Sequence, residues 1–159
     1  MTSAVTAALP DVSVVRRVEW VDTDAAGHHH HGAVLRWVEA AETELLTRRG
    51  LADLFGRIPR VRYEVDYRSR LWFGQEVRVE LTVGKVGRTS VRYDFQVHGP
   101  DVVAAEGRLF IAFAGPDAPT AAPWPDEVRA ALTVPRPGED PGPSGMAQES
   151  RSEEDAACR

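Results

Sequence analysis

The chain has 159 residues, a length that favours one domain over two, and its composition is ordinary for a globular protein. Its 19 basic and 24 acidic side chains give a formal net charge of -5, whereas a general nucleic-acid-binding domain is markedly basic. No segment has the roughly 20 consecutive apolar residues of a membrane span, and Met1–Pro10 lacks the basic region of a signal peptide. Cys158 is the only cysteine, so no internal disulfide is possible. We therefore expect a cytoplasmic protein without membrane contacts or nucleic-acid partners.

The first elements predicted along the chain are one strand and one long helix. We expect residues 1–11 to form a flexible N-terminus and a first strand to cover about Val12 to Val21. Between Ala33 and Arg49, apolar residues recur at helical spacing, at Val34, Val38, Ala41 and Leu45. Gly50 follows directly and is a typical helix stop. This segment therefore predicts one amphipathic helix.

Four further strands follow the helix. Apolar and aromatic residues alternate with polar ones over 61–67, 77–83 and 91–97, which is typical of half-buried antiparallel strands. A last strand covers about Val102 to Phe113. One apolar helix beside a sheet with one apolar face predicts that the sheet wraps the helix and leaves its outer face for solvent or a second subunit. We interpret Trp72 and Phe73 as packing in the core or at a subunit contact.

The end of the chain differs in composition. The segment from Pro125 to Leu132 predicts one or two helical turns, docked through Trp124, Val128 and Leu132. From residue 134 onward the chain is rich in proline, glycine and acidic residues and has almost no large apolar side chain. Such a composition cannot offset the entropy of ordering. We therefore expect a folded domain over 12–133 and a disordered acidic tail over 134–159.

The segment that joins the first strand to the helix carries the candidate chemistry. Two carboxylates, Asp22 and Asp24, and four imidazoles, His28 to His31, occur within ten residues. They lie just before a helix N-terminus, where unpaired backbone N–H groups and the helix dipole favour negative charge. A polarised carbonyl or an oxyanion could be held there.

Simpler interpretations of this segment stay open. Asp24 could be only a turn or N-cap residue, because aspartate is favoured at both for local reasons. The histidine run could bind a metal, since imidazole is a common ligand. Adjacent side chains of an extended segment point to opposite sides, however, so consecutive histidines rarely supply one site. We expect no metal.

The chain resembles the 4-hydroxybenzoyl-CoA thioesterase-like branch of the hotdog-fold acyl-CoA thioesterases over roughly residues 13–114. The residues that carry the resemblance are Asp22 to Gly27, His31, the helix residues Leu35, Trp37, Glu39 and Ala41, and the segments 59–67 and 71–77. The resemblance implies an α+β fold: a single hotdog domain in which an antiparallel sheet of about five strands wraps one long helix, in the order β-α-β-β-β-β.

The resemblance also implies roles for individual residues. Asp24 matches the catalytic carboxylate, which acts as a nucleophile on the thioester carbonyl or as a general base for water. His31 matches a residue that orients or polarises that carbonyl, and the backbone N–H groups of Gly32 and Ala33 would complete an oxyanion site. Relatives have Asn and Tyr where this chain has Ala33 and Val34, so a hydrogen bond from that Asn is lost.

Three more positions have roles that the resemblance implies. Asp22 and Gly27 match residues that fix the loop. Arg88, after a hairpin turn, matches a basic position that contacts the phosphates of coenzyme A. Relatives carry apolar or aromatic residues at His28, His29 and His30, so the acyl pocket or its entrance is expected to be more polar here.

The implied activity is hydrolysis of an acyl-CoA or acyl-carrier-protein thioester to a free acid and a thiol, without a cofactor, by a homodimer or homotetramer. Two other functions stay open: a non-catalytic hotdog module that binds acyl-CoA, and a hotdog dehydratase. The Asp-x-Asp-x-x-Gly element speaks against the dehydratase, and the presence of Asp24 speaks against a pure binding module. The sequence does not specify the acyl group.

Overall fold

The computed structural model describes residues 9–115, 117 and 120–135. The predicted acidic tail over 134–159 lies outside this part of the chain except for its first two residues, and most of the predicted flexible N-terminus lies outside it as well. Asp11 accepts a hydrogen bond from Val83 N at 2.7 Å and pairs with Arg49, so Asp11 is already part of the fold.

The elements follow the predicted order of one strand, one helix and four strands. They are β1 (Val12–Arg17), α1 (His31–Arg48), β2 (Arg60–Tyr67), β3 (Glu76–Val86), β4 (Ser90–His98), β5 (Val103–Ala112) and α2 (Asp126–Leu132), with 3-10 turns at Trp20–Asp22 and Ala52–Leu54. The prediction of a short C-terminal helix is confirmed, because Trp124, Val128 and Leu132 are all buried.

The strands form one antiparallel sheet in the order β1-β3-β4-β5-β2. The first two strands along the chain therefore lie at opposite edges of the sheet, and α1 crosses between them. The buried face of α1 and the inward residues of the strands form one continuous apolar core. This is the predicted hotdog arrangement, and it directs the start of α1 and the preceding loop to one end of the molecule.

The first strand is shorter than predicted. It ends at Arg17, and the chain then turns through Trp20–Asp22, where Trp20 and Val21 are exposed rather than paired. The cause is local, since the Asp22 carboxylate accepts a hydrogen bond from Glu19 N at 2.8 Å. A short polar side chain that binds nearby backbone in this way competes with strand pairing.

The apolar face of β2 is less buried than its alternating sequence predicts. Tyr63 and Val65 are partly buried, whereas Val61 is 50% exposed and Tyr67 is 45% exposed. Two features of the strand explain this: its register with β5 shifts between Arg60 and Arg62, which leaves Val61 at the irregularity, and the strand lies at the edge of the sheet. β2 is an edge strand that pairs only with β5, while α1 packs mainly on β1 and β3 at the other side of the sheet.

Candidate active site

The loop before α1 is a small hairpin. Thr23 pairs with His29, and Asp24 N donates to His28 O at 3.3 Å. The turn closes with a hydrogen bond from Gly27 N to Asp24 O at 3.0 Å. Gly27 has φ 82°, a left-handed conformation that favours glycine. The tight turn therefore explains why glycine stands at this position.

Asp22 holds the base of this hairpin. Its side chain is buried, pairs with Arg36 of α1 and accepts from Glu19 N. Its backbone oxygen accepts from His30 N at 2.6 Å. These contacts join the end of the first strand, the hairpin and the start of α1.

Asp24 lies near the tip of the hairpin, and its side chain is exposed. Its Oδ1 accepts a hydrogen bond from Ala26 N at 2.8 Å, which is the turn role that the sequence left open. Among the described residues, Oδ2 has no hydrogen-bond partner. One carboxylate oxygen thus orients the group, and the other is free for chemistry.

His29 is a structural residue of the core. It is 6% exposed, its Nδ1 accepts from Leu71 N at 3.1 Å, and its backbone N donates to Leu71 O at 2.8 Å. Its ring lies near those of Trp37 and Tyr67. Burial lowers the pKa of His29, so the imidazole is neutral and carries its proton on Nε2. Sequence reasoning missed this role because Leu71 lies far away along the chain.

The other three histidines have separate contacts. His28 Nδ1 lies 3.1 Å from His29 O, and its ring meets the edge of Trp72. His30 caps α1, because its Nδ1 accepts from Gly32 N at 3.0 Å. His31 is the first residue of α1, and its exposed ring lies 3.9 Å from that of His30. The run is therefore four different positions and not one cluster of ligands.

The backbone N–H groups at the start of α1 are not equally available. Gly32 N is bound by the His30 ring, and Ala33 N donates to His30 O at 2.9 Å. Among the described residues, His31 N has no hydrogen-bond partner. A cleft of about 240 Å³ lies beside this helix start and is lined by Val21, His30, Gly32, Ala33 and Arg36. Of these three amides, His31 N is therefore the one without a hydrogen bond in the described part of the chain, whereas Gly32 N can bind a carbonyl only if the His30 ring moves.

Arg88 lies at the other end of the protomer. It follows β3, whose 11 residues run from the neighbourhood of the hairpin to the turn before β4. At about 3.3 Å per residue, this strand alone spans roughly 35 Å. Trp124 N, in the segment before α2, donates to Arg88 O at 3.0 Å. The structure therefore does not bring Arg88 together with Asp24 and His31 within one protomer.

Exposed aromatic side chains surround the hairpin. Trp20 and Phe73 meet edge to face at 6.1 Å between ring centroids, and Trp72 contacts His28. Trp72 and Phe73 are exposed, so of the two predicted placements the core is excluded. Within 9–115, 117 and 120–135, no three side chains of His, Cys, Asp or Glu lie close enough to hold a metal ion, and no helix is long and apolar enough to cross a membrane.

Comparison with known proteins agrees with this architecture. Residues 18–132 match the family model of the thioesterase-like superfamily. A relative from Prochlorococcus marinus (strain NATL2A), a 1,4-dihydroxy-2-naphthoyl-CoA hydrolase, is 28% identical over 102 residues, which cover 55% of this chain and 66% of that protein.

Two solved structures extend the likeness over most of the described fold. A predicted thioesterase from Bacillus stearothermophilus has a TM-score of 0.70 and 31% identity, covering 79% of this chain and 98% of its own. A thioesterase from Thermus thermophilus, crystallised with coenzyme A and Zn, has a TM-score of 0.71 and 27% identity, covering 77% of this chain and 92% of its own. The chain belongs to the thioesterase-like superfamily and is a thioester hydrolase with the hotdog fold.

Proposed function

We propose that the protein hydrolyses acyl-CoA thioesters and that Asp24 is the catalytic carboxylate. The observation that supports this most directly is that, among the described residues, Oδ2 of Asp24 and the N–H of His31 both lack a hydrogen-bond partner and belong to the same hairpin and helix start. A carboxylate can attack a carbonyl or take a proton from water, and an amide N–H at a helix start can polarise the carbonyl oxygen.

The spacing of the two groups suits a carbonyl held between them. Asp24 pairs with His28, Thr23 with His29 and Asp22 with His30, so the backbone of His31 lies three strand steps, roughly 10 Å, from that of Asp24. A carbonyl oxygen about 3 Å from His31 N, with its carbon about 3 Å from the carboxylate, covers most of this gap. The remaining gap is shorter than an extended Asp side chain, but Oδ1 of Asp24 is bound to Ala26 N at the tip of the hairpin, so Oδ2 is the oxygen that would face the carbonyl.

The reaction balances with water as the only co-reactant. As a general base, Asp24 takes a proton from water while the hydroxide adds to the carbonyl carbon. The C–S bond then breaks, and the proton passes to the leaving thiolate. As a nucleophile, Asp24 first displaces the thiolate and forms an anhydride, which water hydrolyses to regenerate the carboxylate. Both routes give a free acid and a thiol.

Coenzyme A is the thiol carrier that the comparisons favour. The Prochlorococcus relative is described as acting on a CoA thioester, and the Thermus structure contains coenzyme A. An acyl-carrier-protein thioester is the second candidate, because it presents the same reacting group.

We further propose that the working enzyme is a homodimer or homotetramer. If Arg88 contacts the phosphates of coenzyme A, it cannot do so at the Asp24 of its own protomer, because β3 separates the two ends by roughly 35 Å. The exposed side chains of edge strand β2, Val61 and Tyr67, offer an apolar surface for a second copy. Assembly would bring an Arg88 of one protomer to the hairpin of another.

The test is a panel of acetyl-CoA, hexanoyl-CoA, palmitoyl-CoA, benzoyl-CoA and 4-hydroxybenzoyl-CoA, with released thiol measured by a coloured thiol reagent. Asp24→Asn keeps the side-chain oxygen that accepts from Ala26 N, so we expect it to fold. Turnover of the best substrate should fall by about 10² to 10⁴, with a much smaller change in KM. Asp53→Asn, at an exposed acid in the 3-10 turn Ala52–Leu54, is the matched control and should retain wild-type turnover.

Two results would contradict this proposal. A folded Asp24→Asn variant that hydrolyses at near the wild-type rate would exclude the catalytic role of Asp24. Tight binding of the acyl-CoA panel without any release of thiol would instead favour the non-catalytic binding module.

A further inference from the structure

The peptide group between His31 and Gly32 is held from both sides. Its carbonyl oxygen accepts a hydrogen bond from the hydroxyl of Tyr67 at 2.7 Å, and its N–H donates to His30 Nδ1 at 3.0 Å. A peptide group is planar, so its carbonyl and its N–H move together. Two hydrogen bonds at opposite ends of one rigid plane fix its orientation.

We propose that Tyr67 is a positioning residue of the active site, which holds the first peptide of α1 in place for catalysis. The proposal rests on the function proposed above, because it assumes that His31 and the helix start bind the thioester carbonyl. Tyr67 itself need not touch the substrate. It acts through the backbone of His31, whose amide and side chain are both candidates for that contact.

Tyr67 can do this because its own backbone is fixed. It is the last residue of β2 and pairs with Ala105 of β5, so its position is set by the sheet. Its ring lies near that of buried His29, with 6.2 Å between centroids. The hydrogen bond from its hydroxyl therefore fixes the start of α1 relative to the sheet.

The Tyr67 hydroxyl can donate this hydrogen bond at every pH in the neutral range. Burial raises the pKa of Tyr67 from its ordinary value of 10.0, so the phenol keeps its proton throughout the neutral range. Donation to the His31 carbonyl also polarises the peptide and strengthens the bond from Gly32 N to His30 Nδ1, which fixes the backbone of His31. Catalysis depends steeply on such alignment, since a displacement of about 1 Å can cost up to about 10²-fold in rate.

The experiment is steady-state kinetics of Tyr67→Phe in the full chain, with the member of the CoA panel that the wild type hydrolyses fastest. We expect kcat to fall about tenfold while KM changes less than twofold, because the lost bond orients the reacting groups and does not bind the carrier. Tyr93→Phe is the matched control. Its hydroxyl is buried without a hydrogen-bond partner in the described part of the chain, so its removal should leave kcat unchanged.

Amide hydrogen exchange gives a second measurement that needs no substrate. The N–H groups of Gly32 and Ala33 should exchange faster in Tyr67→Phe than in the wild type or in Tyr93→Phe. A double-mutant cycle with His30→Ala adds a readout that general destabilisation would not produce. Because both bonds hold one peptide, the loss of kcat in the double variant should exceed the product of the two single losses.

The outcomes separate this inference from the proposed function. A kcat for Tyr67→Phe within twofold of the wild type, with unchanged exchange at Gly32, overturns the positioning role even if Asp24→Asn is inactive. An active Asp24→Asn enzyme overturns the proposed mechanism whatever Tyr67→Phe does.

Discussion

The four consecutive histidines have four different environments because each meets a different neighbour. His28 contacts Trp72, His29 binds Leu71, His30 caps the helix and His31 begins it. His28 and His29 therefore take their roles from residues that are distant in sequence, whereas His30 and His31 take theirs from the helix that starts at this point. Substitution of single histidines should reveal these differences.

We expect His31→Ala to impair turnover far more than His28→Ala. The imidazole of His31 is exposed at the helix start beside the unpartnered amide, and loss of one group that polarises a carbonyl typically costs about 10² to 10³ in rate. His28 contacts the exposed Trp72, the ring of His29 and a backbone oxygen, and none of these is a proposed catalytic group, so its loss should cost little. The measurement is kcat for both variants. Equal and small losses would mean that His31 has no catalytic role and that the four histidines only form a polar loop.

Glu42 is a buried carboxylate away from the site, and it makes stability depend on pH. It pairs with Arg60 through Oε2, while Oε1 is buried without a partner among the described residues. Burial outweighs Arg60 and raises the pKa of Glu42 to about 7, whereas the unfolded chain keeps the ordinary value of 4.5. Between these two values the folded state binds the extra proton, so stability falls as pH rises from 4.5 to 7.

The variant Glu42→Gln tests whether stability falls with rising pH because of Glu42. The amide cannot ionise, and Arg60 keeps Glu39 as a partner at 3.3 Å. Between pH 5 and pH 8 the Tm of the wild type should fall relative to that of Glu42→Gln, with most of the change complete by about pH 7. Melting curves of both proteins across this range provide the measurement, and parallel curves would mean that Glu42 is already ionised at pH 5.

At the scale of elements, the short helix α2 belongs to the core. Leu132 is 1% exposed, and Arg49 at the end of α1 donates to its carbonyl at 2.6 Å. Leu132→Ala should lower the free energy of unfolding by about 2 to 5 kcal/mol, the usual cost of truncating a buried leucine. Val134→Ala, two residues later at a position that is 54% exposed, should change it by no more than about 0.5 kcal/mol. Urea unfolding of both variants measures the difference, and similar values would show that α2 is not docked in solution.

The type and order of the elements could be predicted because burial follows the sequence period. In β3 and β4 the alternating apolar residues are the buried ones, among them Val77, Val79, Leu81, Val91 and Tyr93. The end of β1 could not be predicted, because a single bond from Asp22 to Glu19 N decides it. The exposure of β2 could not be predicted either, because it depends on which strand lies at the edge of the sheet.

The candidate site could be predicted only in part. The segment with Asp22, Asp24 and Gly27 could be singled out because its residues are adjacent, and the resemblance supplied their implied roles, but the hairpin that they form was not predicted. The hydrogen bond from Tyr67 to His31 could not be found in this way, because it depends on the position of β2 at the far edge of the sheet.

For the whole molecule, the exposed face of β2 leads to a prediction about assembly. Val61 is 50% exposed at the free edge of the sheet, where a second copy could cover it. Val61→Glu would place a charge in such a contact and should shift the protein toward monomers without unfolding it. Val102→Glu, on a loop position that is 45% exposed, is the control and should leave assembly unchanged. Light scattering coupled to size-exclusion chromatography compares the three masses, and a monomeric wild type would contradict assembly.

The order of the strands also has a consequence for how the molecule folds. β3, β4 and β5 pair with their neighbours in the chain through short turns, whereas β1 and β2 reach partners that lie far along it. Pairings of that kind carry the larger loop-closure entropy and form slowly. The hairpin with Asp24 follows β1, and Tyr67 is the last residue of β2. Both proposed parts of the active site therefore depend on the two edge strands, which we expect to pair last. We expect catalytic competence to appear last during refolding, after the circular dichroism of the three-stranded meander has recovered.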